Sequence, residues 1–348
     1  MIEECLSRMN LKVIVDDKLK ELYSNKIPEI VRNRVKEELD LITKLGIEYQ
    51  YVIAYEISEK VKKDNRIMLD RVCGNSYIAY LLGISIVNPL EYNISIYDNN
   101  SILCTFDLDF EKNYFHDIFD YTITLFKRYG VEVATIDDLK IHNFYLGGLS
   151  WCYIFGRMSK YIPIHDIPFN DKSVFEYLKN NEDSVIYDAV SNFKEYDLKE
   201  EPFHNIYTLS KFVAAINTTI DDKWKMIDFN KYYPIFREDI YDFLKSNDLE
   251  TIAFEFMNFI GKGKSHSKFH SNAEKWNEYK KILKEHNISD DYIAYCSNID
   301  YLWPKSACVN RALVYYFSTY YKIYFPKEYA MVIDDLHNFR DLHEVNGE

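Results

Sequence analysis

Apolar residues near the start of the chain recur every three or four positions, which places them on one face of a helix. This stripe consists of Val31, Val35, Leu39 and Ile42. Pro28 suits the first turn of a helix, and Gly46 suits its end. The pattern predicts a helix between Pro28 and Gly46 that buries the stripe.

The following part of the chain carries strand signals. Gln50 to Ile57 is rich in Tyr, Val and Ile and fits either a strand or a buried helix, because periodicity does not decide between them. Asn93 to Tyr97 and Ile102 to Phe106 are short strand candidates, and the turn-forming residues Asp98-Asn99-Asn100 separate them. These two candidates predict a β-hairpin. A helical face follows between Phe115 and Phe126.

After Gly148 helical stripes dominate. One stripe contains Ile252, Phe256, Met257 and Ile260, and another contains Trp276, Tyr279 and Leu283. Val309 to Tyr324 is long enough for a central helix. The order of these signals predicts an α+β fold, in which a small sheet is followed by a predominantly helical domain. We place the border, which we expect to be packed, near residue 150.

Composition is typical of a folded chain with its own core. The 348 residues are 47% hydrophobic and 16% aromatic. No run reaches the roughly 18 apolar residues of a membrane span. Met1-Ile2-Glu3-Glu4 lacks the basic and apolar blocks of a leader peptide. We therefore expect a cytoplasmic protein with no membrane contact.

The spacing of cysteine and histidine does not indicate zinc. The six cysteines lie far apart with no C-x-x-C pair, so we expect reduced and mostly buried thiols. His266 and His270 are four positions apart, but they lack the cysteine and carboxylate partners of a zinc site. No zinc is expected.

Net charge restricts where nucleic acid can bind. At −13 the chain repels a polyanion at long range, so binding needs a local basic surface. The segment Gly261 to Lys281 supplies one, because its glycines let backbone amides approach phosphate while its lysines neutralise it. Its six lysines are Lys262, Lys264, Lys268, Lys275, Lys280 and Lys281. We take Lys262, Lys264 and Lys268 as candidate nucleic-acid contacts, and a plain solvated loop is the alternative.

Four segments follow one another along the chain in a recognisable order. They are Leu19 to Leu39, Gly74 to Leu90, Thr105 to Phe110 and Trp303-Pro304-Lys305-Ser306-Ala307. The third reads Thr-Phe-Asp-Leu-Asp-Phe, which is similar to the palm motif Asp-Ile-Asp-Leu-Asn-Phe. Together the segments resemble PolC-type DNA polymerase III alpha subunits, the C-family replicative polymerases. In that family they correspond to the core-entry helix, the phosphate-binding turn with its helix, the palm and the late fingers.

The resemblance implies a nucleotide site assembled from two parts of the chain. Gly74 and Ser76 fall at the end of the family's phosphate-binding turn, and Lys305 resembles a fingers lysine that faces the incoming nucleotide. Palm aspartates of the family bind metal, so Asp107 and Asp109 are the candidate catalytic and metal-binding residues, with Mg²⁺ as the implied ion. Residues two apart on a strand project to one face, which suits a metal-binding pair.

The chain departs from the family where the chemistry is most demanding. Asp70 stands where the phosphate-binding turn has its arginine, and Arg71 is one place out of register. The first palm aspartate falls on Thr105, and the third falls on Phe144, whose ring cannot ligate magnesium. Asp107 keeps the second palm aspartate, whereas Asp109 stands where the family has Asn. The resemblance therefore implies that this shifted acidic pair is vestigial and that most polymerase activity is lost.

These patterns and the resemblance predict four parts. A helical entry segment covers residues 1–60, a reduced palm-like domain covers 61–150, a helical fingers-like domain covers 151–330, and a charged tail covers 331–348. The predicted fold class is thus α+β, with a palm-like sheet of nucleotidyltransferase type reduced to a remnant.

Three hypotheses for function stay open. The first is a pseudoenzyme related to PolC that acts in or on DNA replication by binding DNA, nucleotide or a replication protein. The second is a minimal metal-dependent nucleotidyltransferase that uses Asp107, Asp109 and a substitute carboxylate such as Asp137 or Asp138. The third is a structural remnant that oligomerises through its aromatic surface, although we assign most of the 31 tyrosines to packing. The sequence leaves the oligomeric state undecided.

Overall fold

The computed structural model describes seven stretches of the chain. They are residues 10–24, 26–96, 105–180, 204–217, 219–220, 234–265 and 270–345. The chain divides into two compact units, of which the first is Met1–Phe169 with Tyr316–Glu348 and the second is Asn170–Tyr315. Lys268 and the turn Asp98-Asn99-Asn100 lie outside the described residues.

Three helices open the described part of the first unit: α1 (Leu11–Tyr23), α2 (Glu29–Leu45) and α3 (Glu48–Lys63). Helix α2 starts directly after Pro28 and ends at Gly46, whose φ of 66° is left-handed. The predicted helix is therefore confirmed. Its buried residues include Val31, Val35 and Ile42. Gln50 to Ile57 lies inside α3, which decides between strand and helix for that segment.

The sheet of the first unit has three strands: β1 (Leu69–Asp70), β2 (Phe106–Phe110) and β3 (Phe144–Gly148). Strand β2 lies in the middle, antiparallel to β1 and parallel to β3. A short helix α4 (Tyr77–Leu81) follows β1, and α5 (Phe115–Arg128) and α6 (Ile136–Ile141) connect β2 to β3. A parallel pair requires such a crossover. Helix α7 (Ser150–Met158) follows β3.

The predicted β-hairpin is wrong in its described part. Residues 93–96 form no strand. Strand β2 begins at Phe106, the last residue of the second strand candidate, and pairs with β1 and β3 instead. Phe106, Leu108 and Phe110 alternate along β2 and are all buried. Phe106 to Phe110 thus forms a central strand with a partner on each side, and strand preference depends on such packing.

Aromatic rings form the core beside the sheet. Phe106 and Phe144 are paired in the register of β2 and β3, and their stacked ring centroids lie 5.2 Å apart. Tyr51 of α3 meets Phe106 edge-on at 5.0 Å, and Phe126 of α5 meets Phe144 edge-on at 5.5 Å. Each such ring pair adds about 0.5–1.5 kcal/mol beyond burial. These contacts hold α3 and α5 to the sheet.

The second unit is mostly helical. In chain order its described elements include α8 (Lys172–Asn180), α9 (Ile206–Asn217), β4 (Thr219–Ile220), α10 (Arg237–Ser246), α11 (Glu250–Gly261), α12 (Ala273–Glu285), α13 (Asp290–Ser297) and β5 (Ile299–Tyr301). The predicted stripes on α11 and α12 meet, since the rings of Phe256 and Tyr279 are edge-on at 5.1 Å. Strands β4 and β5 pair antiparallel in a small ribbon that the sequence pattern did not predict.

Two long helices follow, α14 (Lys305–Tyr324) and α15 (Pro326–Val345). Helix α14 begins in the second unit and belongs to the first unit from Tyr316 onward. In the first unit, Tyr316 donates a hydrogen bond to the carbonyl of Pro168 at 2.5 Å, and Tyr321 donates one to the carbonyl of Ile162 at 2.7 Å. Helix α15 packs against α7.

The coarse fold prediction is confirmed, because helices combined with a small mixed sheet make an α+β fold. The palm-like and fingers-like labels and the four-part division stay predictions. Among the helices of the described stretches, none is both long and apolar enough to cross a membrane. The cysteines of these stretches are free and buried, as expected: Cys73, Cys152, Cys296 and Cys308.

Candidate functional site

The two candidate aspartates lie on the central strand β2. Asp107 and Asp109 are two positions apart, so the pleat brings both side chains to one face of the sheet. The side chain of Asp109 is fully buried, whereas that of Asp107 is 27% exposed. Arg71, the residue after β1, donates its backbone N–H to the carbonyl of Asp107 at 2.9 Å. The antiparallel pairing of β1 with β2 thus brings Arg71 beside both aspartates.

Arg71 forms a bidentate ion pair with Asp109. Its Nε donates to Oδ2 at 2.5 Å and its Nη2 donates to Oδ1 at 2.6 Å, which is the fork geometry of a guanidinium on a carboxylate. Its Nε also lies 3.9 Å from Oδ1 of Asp107. The hydrogen bond to Asp109 raises the pKa of Arg71, so the guanidinium stays charged. No local sequence pattern indicates this role, because it depends on which strand the segment pairs with.

Gly147 leaves room for the ion pair. It lies on β3 directly opposite Asp109 in the register of the two strands. A Cβ atom at this position would stand 2.5 Å from Oδ1 of Asp109 and 3.3 Å from Nη2 of Arg71. The arrangement therefore requires a residue without a side chain at position 147.

The surroundings of the acidic pair do not fit a magnesium site. Phe144, at the position implied for a third aspartate, is fully buried against Phe106. Thr105 precedes β2, and its carbonyl accepts a hydrogen bond from Sγ of Cys73 at 3.3 Å. Within the described stretches, no group of three His, Cys, Asp or Glu side chains could hold a metal ion. Because Mg²⁺ requires near-octahedral oxygen ligands, this donor set does not suit it.

Two carboxylates in the strands of the sheet have raised pKa values. Burial raises the pKa of Asp107, and the nearby Arg71 acts in the opposite direction. Asp70, at the end of β1, is 1% exposed, and burial raises its pKa to about 6. One of its oxygens accepts the N–H of Cys73 at 2.6 Å. At the position where the resemblance implies a phosphate-binding arginine, Asp70 thus stabilises the turn after β1.

Gly74 and Ser76, the predicted nucleotide contacts, are buried in the tight turn between β1 and α4. The hydroxyl of Ser76 donates to Oε2 of Glu38 at 2.7 Å. The backbone N–H groups of Tyr77 and Ile78 also donate to this carboxylate, at 2.7 and 2.9 Å. Glu38 therefore engages the donors at the start of α4. A nucleotide role for Gly74 and Ser76 stays a prediction.

Arg34 holds Glu38 in place. Its Nε lies 2.6 Å from Oε1 of Glu38, and the two side chains are 9% and 0% exposed. Arg34 also donates to the carbonyls of Ile94 and Asn75, at 3.0 and 2.5 Å. No motif in the sequence singles out this pair, although a signal is present. Glu38 shares the buried face of α2 with the apolar stripe, and charged residues are rarely buried there without a partner.

Lys305, the first residue of α14, is buried. It is 8% exposed, and its Nζ lies 5.0 Å from the ring centroid of Tyr207 and 5.9 Å from that of Phe236. Its backbone N–H donates to Oε2 of the buried Glu238 at 2.8 Å. Burial lowers the pKa of Lys305, while Asp239 acts to raise it. Nucleotide contact by Lys305 stays a prediction.

Lys262 and Lys264 are exposed in the turn after α11. Gly263 between them has a φ of 68°, and a Cβ atom there would stand 2.0 Å from the carbonyl oxygen of Asp300 on β5. The turn is therefore packed tightly against β5 while both lysine side chains face solvent. Lys268, the third candidate contact, lies outside the described residues.

Asp137 and Asp138, the substitute carboxylates, lie in the first turn of α6. Asp138 accepts the N–H of Thr135 at 2.8 Å and completes a capping box. Oδ1 of Asp137 lies 2.8 Å from Nζ of Lys140. Both aspartates serve the local structure of α6, and a metal role for either stays a prediction.

Comparison with known proteins supports a polymerase relationship for the N-terminal part of the chain. Residues 9–144 match the family model described as the bacterial DNA polymerase III alpha NTPase domain. This match contains β1, β2 and the first residue of β3, so Arg71, Asp107 and Asp109 all lie within it.

Individual relatives match over shorter segments. A PolC-type DNA polymerase III from Thermotoga maritima is 42% identical over 71 residues, which are 20% of this chain and 5% of the relative. The PolC-type protein of Clostridium perfringens is 33% identical over 94 residues, or 27% and 6% of the two chains. An error-prone DNA polymerase from Hahella chejuensis is 30% identical over 119 residues, or 33% and 11%. These matches confirm the resemblance seen in the sequence, over a small fraction of each relative's length.

Proposed function

We propose that this relative of the bacterial DNA polymerase III alpha subunits acts in replication by binding DNA and does not polymerise it. The observation that carries the proposal is the ion pair in which Arg71 engages both carboxylate oxygens of the buried Asp109. A carboxylate held in this way cannot at the same time bridge two metal ions. The chain would therefore keep a polymerase-like surface without its chemistry.

Loss of catalysis follows from the ligands that polymerisation needs. DNA polymerases of this family generally use Mg²⁺, and two-metal transfer requires carboxylates that bridge cations roughly 4 Å apart. Thr105 and Phe144 occupy two positions where the resemblance implies aspartates. The ring of Phe144 offers no ligand, and it is part of the core beside the sheet. Asp107 alone cannot supply the charge that two divalent cations require.

DNA is favoured over a free nucleotide as the bound species. The hydroxyl of Ser76 is engaged by Glu38, Gly74 is buried and Lys305 is 8% exposed, so all three predicted nucleotide contacts are occupied or buried. Lys262 and Lys264 are exposed on a turn held against β5. Exposed lysines that neutralise phosphates release counterions, and this provides affinity without base recognition.

Primer extension and DNA binding, measured on the same full chain, test the proposal. We expect a fluorescently labelled primer–template to bind, as read by anisotropy, and to gain no nucleotides with Mg²⁺ or Mn²⁺ present. Asp107→Asn serves as the control for contaminating polymerase, because the change leaves the Arg71–Asp109 pair intact. Extension that the wild type supports and Asp107→Asn abolishes would contradict the proposal, and so would an absence of DNA binding at low salt.

A further inference from the structure

The charge of Asp109 is balanced by a side chain of the protein itself. Asp109 is fully buried, and both of its oxygens accept hydrogen bonds from Arg71, at 2.5 and 2.6 Å. Asp107 lies on the same face of β2, and its Oδ1 is 3.9 Å from Nε of Arg71. One guanidinium thus stands between two carboxylates, which is the place a bridging cation takes in a carboxylate-bound metal site.

At the position opposite Asp109, the neighbouring strand β3 adds no side chain that could compete with Arg71. Opposite Asp109, Gly147 has no side chain, and its missing Cβ leaves the space in which the ion pair lies. At the other end of β3, Phe144 is in the core. A cation entering this place would meet the positive charge of Arg71 and would have to displace a bidentate partner from a buried carboxylate. Breaking such a pair is costly because it leaves a buried charge uncompensated.

We infer that Arg71 replaces the divalent cation of the acidic pair: it holds Asp107 and Asp109 together and excludes a metal ion from them. The inference rests on the proposed function, since it accounts for the loss of metal chemistry, but its test requires neither DNA nor nucleotide. The inference has one direct consequence: removing the Arg71 side chain leaves two carboxylates beside an open space, and this arrangement attracts a divalent cation.

The test compares Mn²⁺ binding by the full chain and its variants, read by electron paramagnetic resonance and by the thermal unfolding midpoint. For the wild type we expect the same Mn²⁺ binding as for Asp107→Asn, and no Mn²⁺-dependent difference in midpoint between the two. Arg71→Ala should have a lower midpoint in metal-free buffer, should bind one additional Mn²⁺ and should recover stability when Mn²⁺ is added. Arg71→Ala/Asp109→Asn should lose the additional ion, because the buried charge is gone.

A second variant serves as a control in case Arg71→Ala does not fold. Arg71→Gln removes the charge but keeps one hydrogen-bond donor toward Asp109, so it should fold if Arg71→Ala does not, and it should also gain Mn²⁺. A folded Arg71 variant that gains no ion would overturn the inference. Wild-type Mn²⁺ binding that Asp107→Asn abolishes would overturn it as well, even if primer extension stayed absent and the proposed function stood.

Discussion

Glu38 shows how a single buried charge ties several segments together. It accepts hydrogen bonds from Arg34, Ser76, Tyr77 and Ile78. We predict that Glu38→Gln lowers the free energy of unfolding by about 3–5 kcal/mol, because Arg34 then stays buried without its counter-charge. Urea unfolding measures this change. Glu21→Gln, which removes a partner from the exposed pair with Lys18, should cost about 0–1 kcal/mol. Similar losses for both variants would contradict the argument.

Glu238 makes stability depend on pH. Burial raises its pKa to about 7, above the value of roughly 4.3 in an unfolded chain. A raised acid pKa means that the folded state holds the proton more tightly than the unfolded chain. The stabilisation that protonated Glu238 contributes is therefore fully present below about pH 4.3 and is lost as pH rises through 7.

We predict that Glu238→Gln removes most of this pH dependence. Its amide oxygen can still accept the N–H of Lys305, but it no longer titrates. The free energy of unfolding from urea titrations between pH 4 and 8 should fall less for the variant than for the wild type, by on the order of 2 kcal/mol over the window. Glu250→Gln, at a side chain that is 60% exposed, should leave the wild-type profile unchanged. A parallel decline for Glu238→Gln and wild type would rule out Glu238 as the cause.

At the scale of elements, the turn between α11 and α12 depends on Gly263. Its φ is 68°, and a Cβ atom would collide with the carbonyl of Asp300 on β5. We predict that Gly263→Ala lowers the unfolding free energy of the protein by more than the ~1 kcal/mol of left-handed strain alone. Gly130→Ala is the matched control, because its φ is 73° and nothing lies within 4 Å of the added methyl. If urea unfolding gives the same loss of unfolding free energy for both variants, the collision with Asp300 adds nothing and the prediction is wrong.

Helices were predictable here and strand pairing was not. The stripe on α2 is local information, since residues three and four apart share a helix face whatever the rest of the chain does. The sheet pairs residue 70 with residue 108 and residue 109 with residue 147, and no local pattern selects such partners. The same holds for the site. The motif identifies Asp107 and Asp109, whereas the role of Arg71 at the site depends on the pairing of β1 with β2. Apart from its helix neighbour Arg34, the groups that donate to Glu38 lie 38 to 40 positions further along the chain, so the stripe on α2 alone did not reveal its role.

At the scale of the whole molecule, a net charge of −13 opposes any polyanion, so DNA binding must come from a local surface and must weaken with salt. We predict that Lys262→Glu/Lys264→Glu weakens DNA binding and reduces the slope of log affinity against log salt by roughly 2. Anisotropy titrations at several salt concentrations measure both effects. Lys36→Glu/Lys44→Glu changes the net charge equally at exposed positions of α2 and should leave the slope unchanged. Equal weakening in both variants would indicate that only the overall charge matters.

The division of the first unit into two sequence segments affects the order of synthesis on the ribosome. Residues Met1–Phe169 emerge first, but Tyr316–Glu348 follows only after all of the second unit has been made. At about 5–20 residues per second, that delay is on the order of ten seconds. During it, Phe155 of α7 lacks the rings of Phe317 and Tyr321 that pack against it at 6.1 Å in the finished fold. In a nascent chain this apolar face of α7 therefore stays without its partner until α14 has left the exit tunnel.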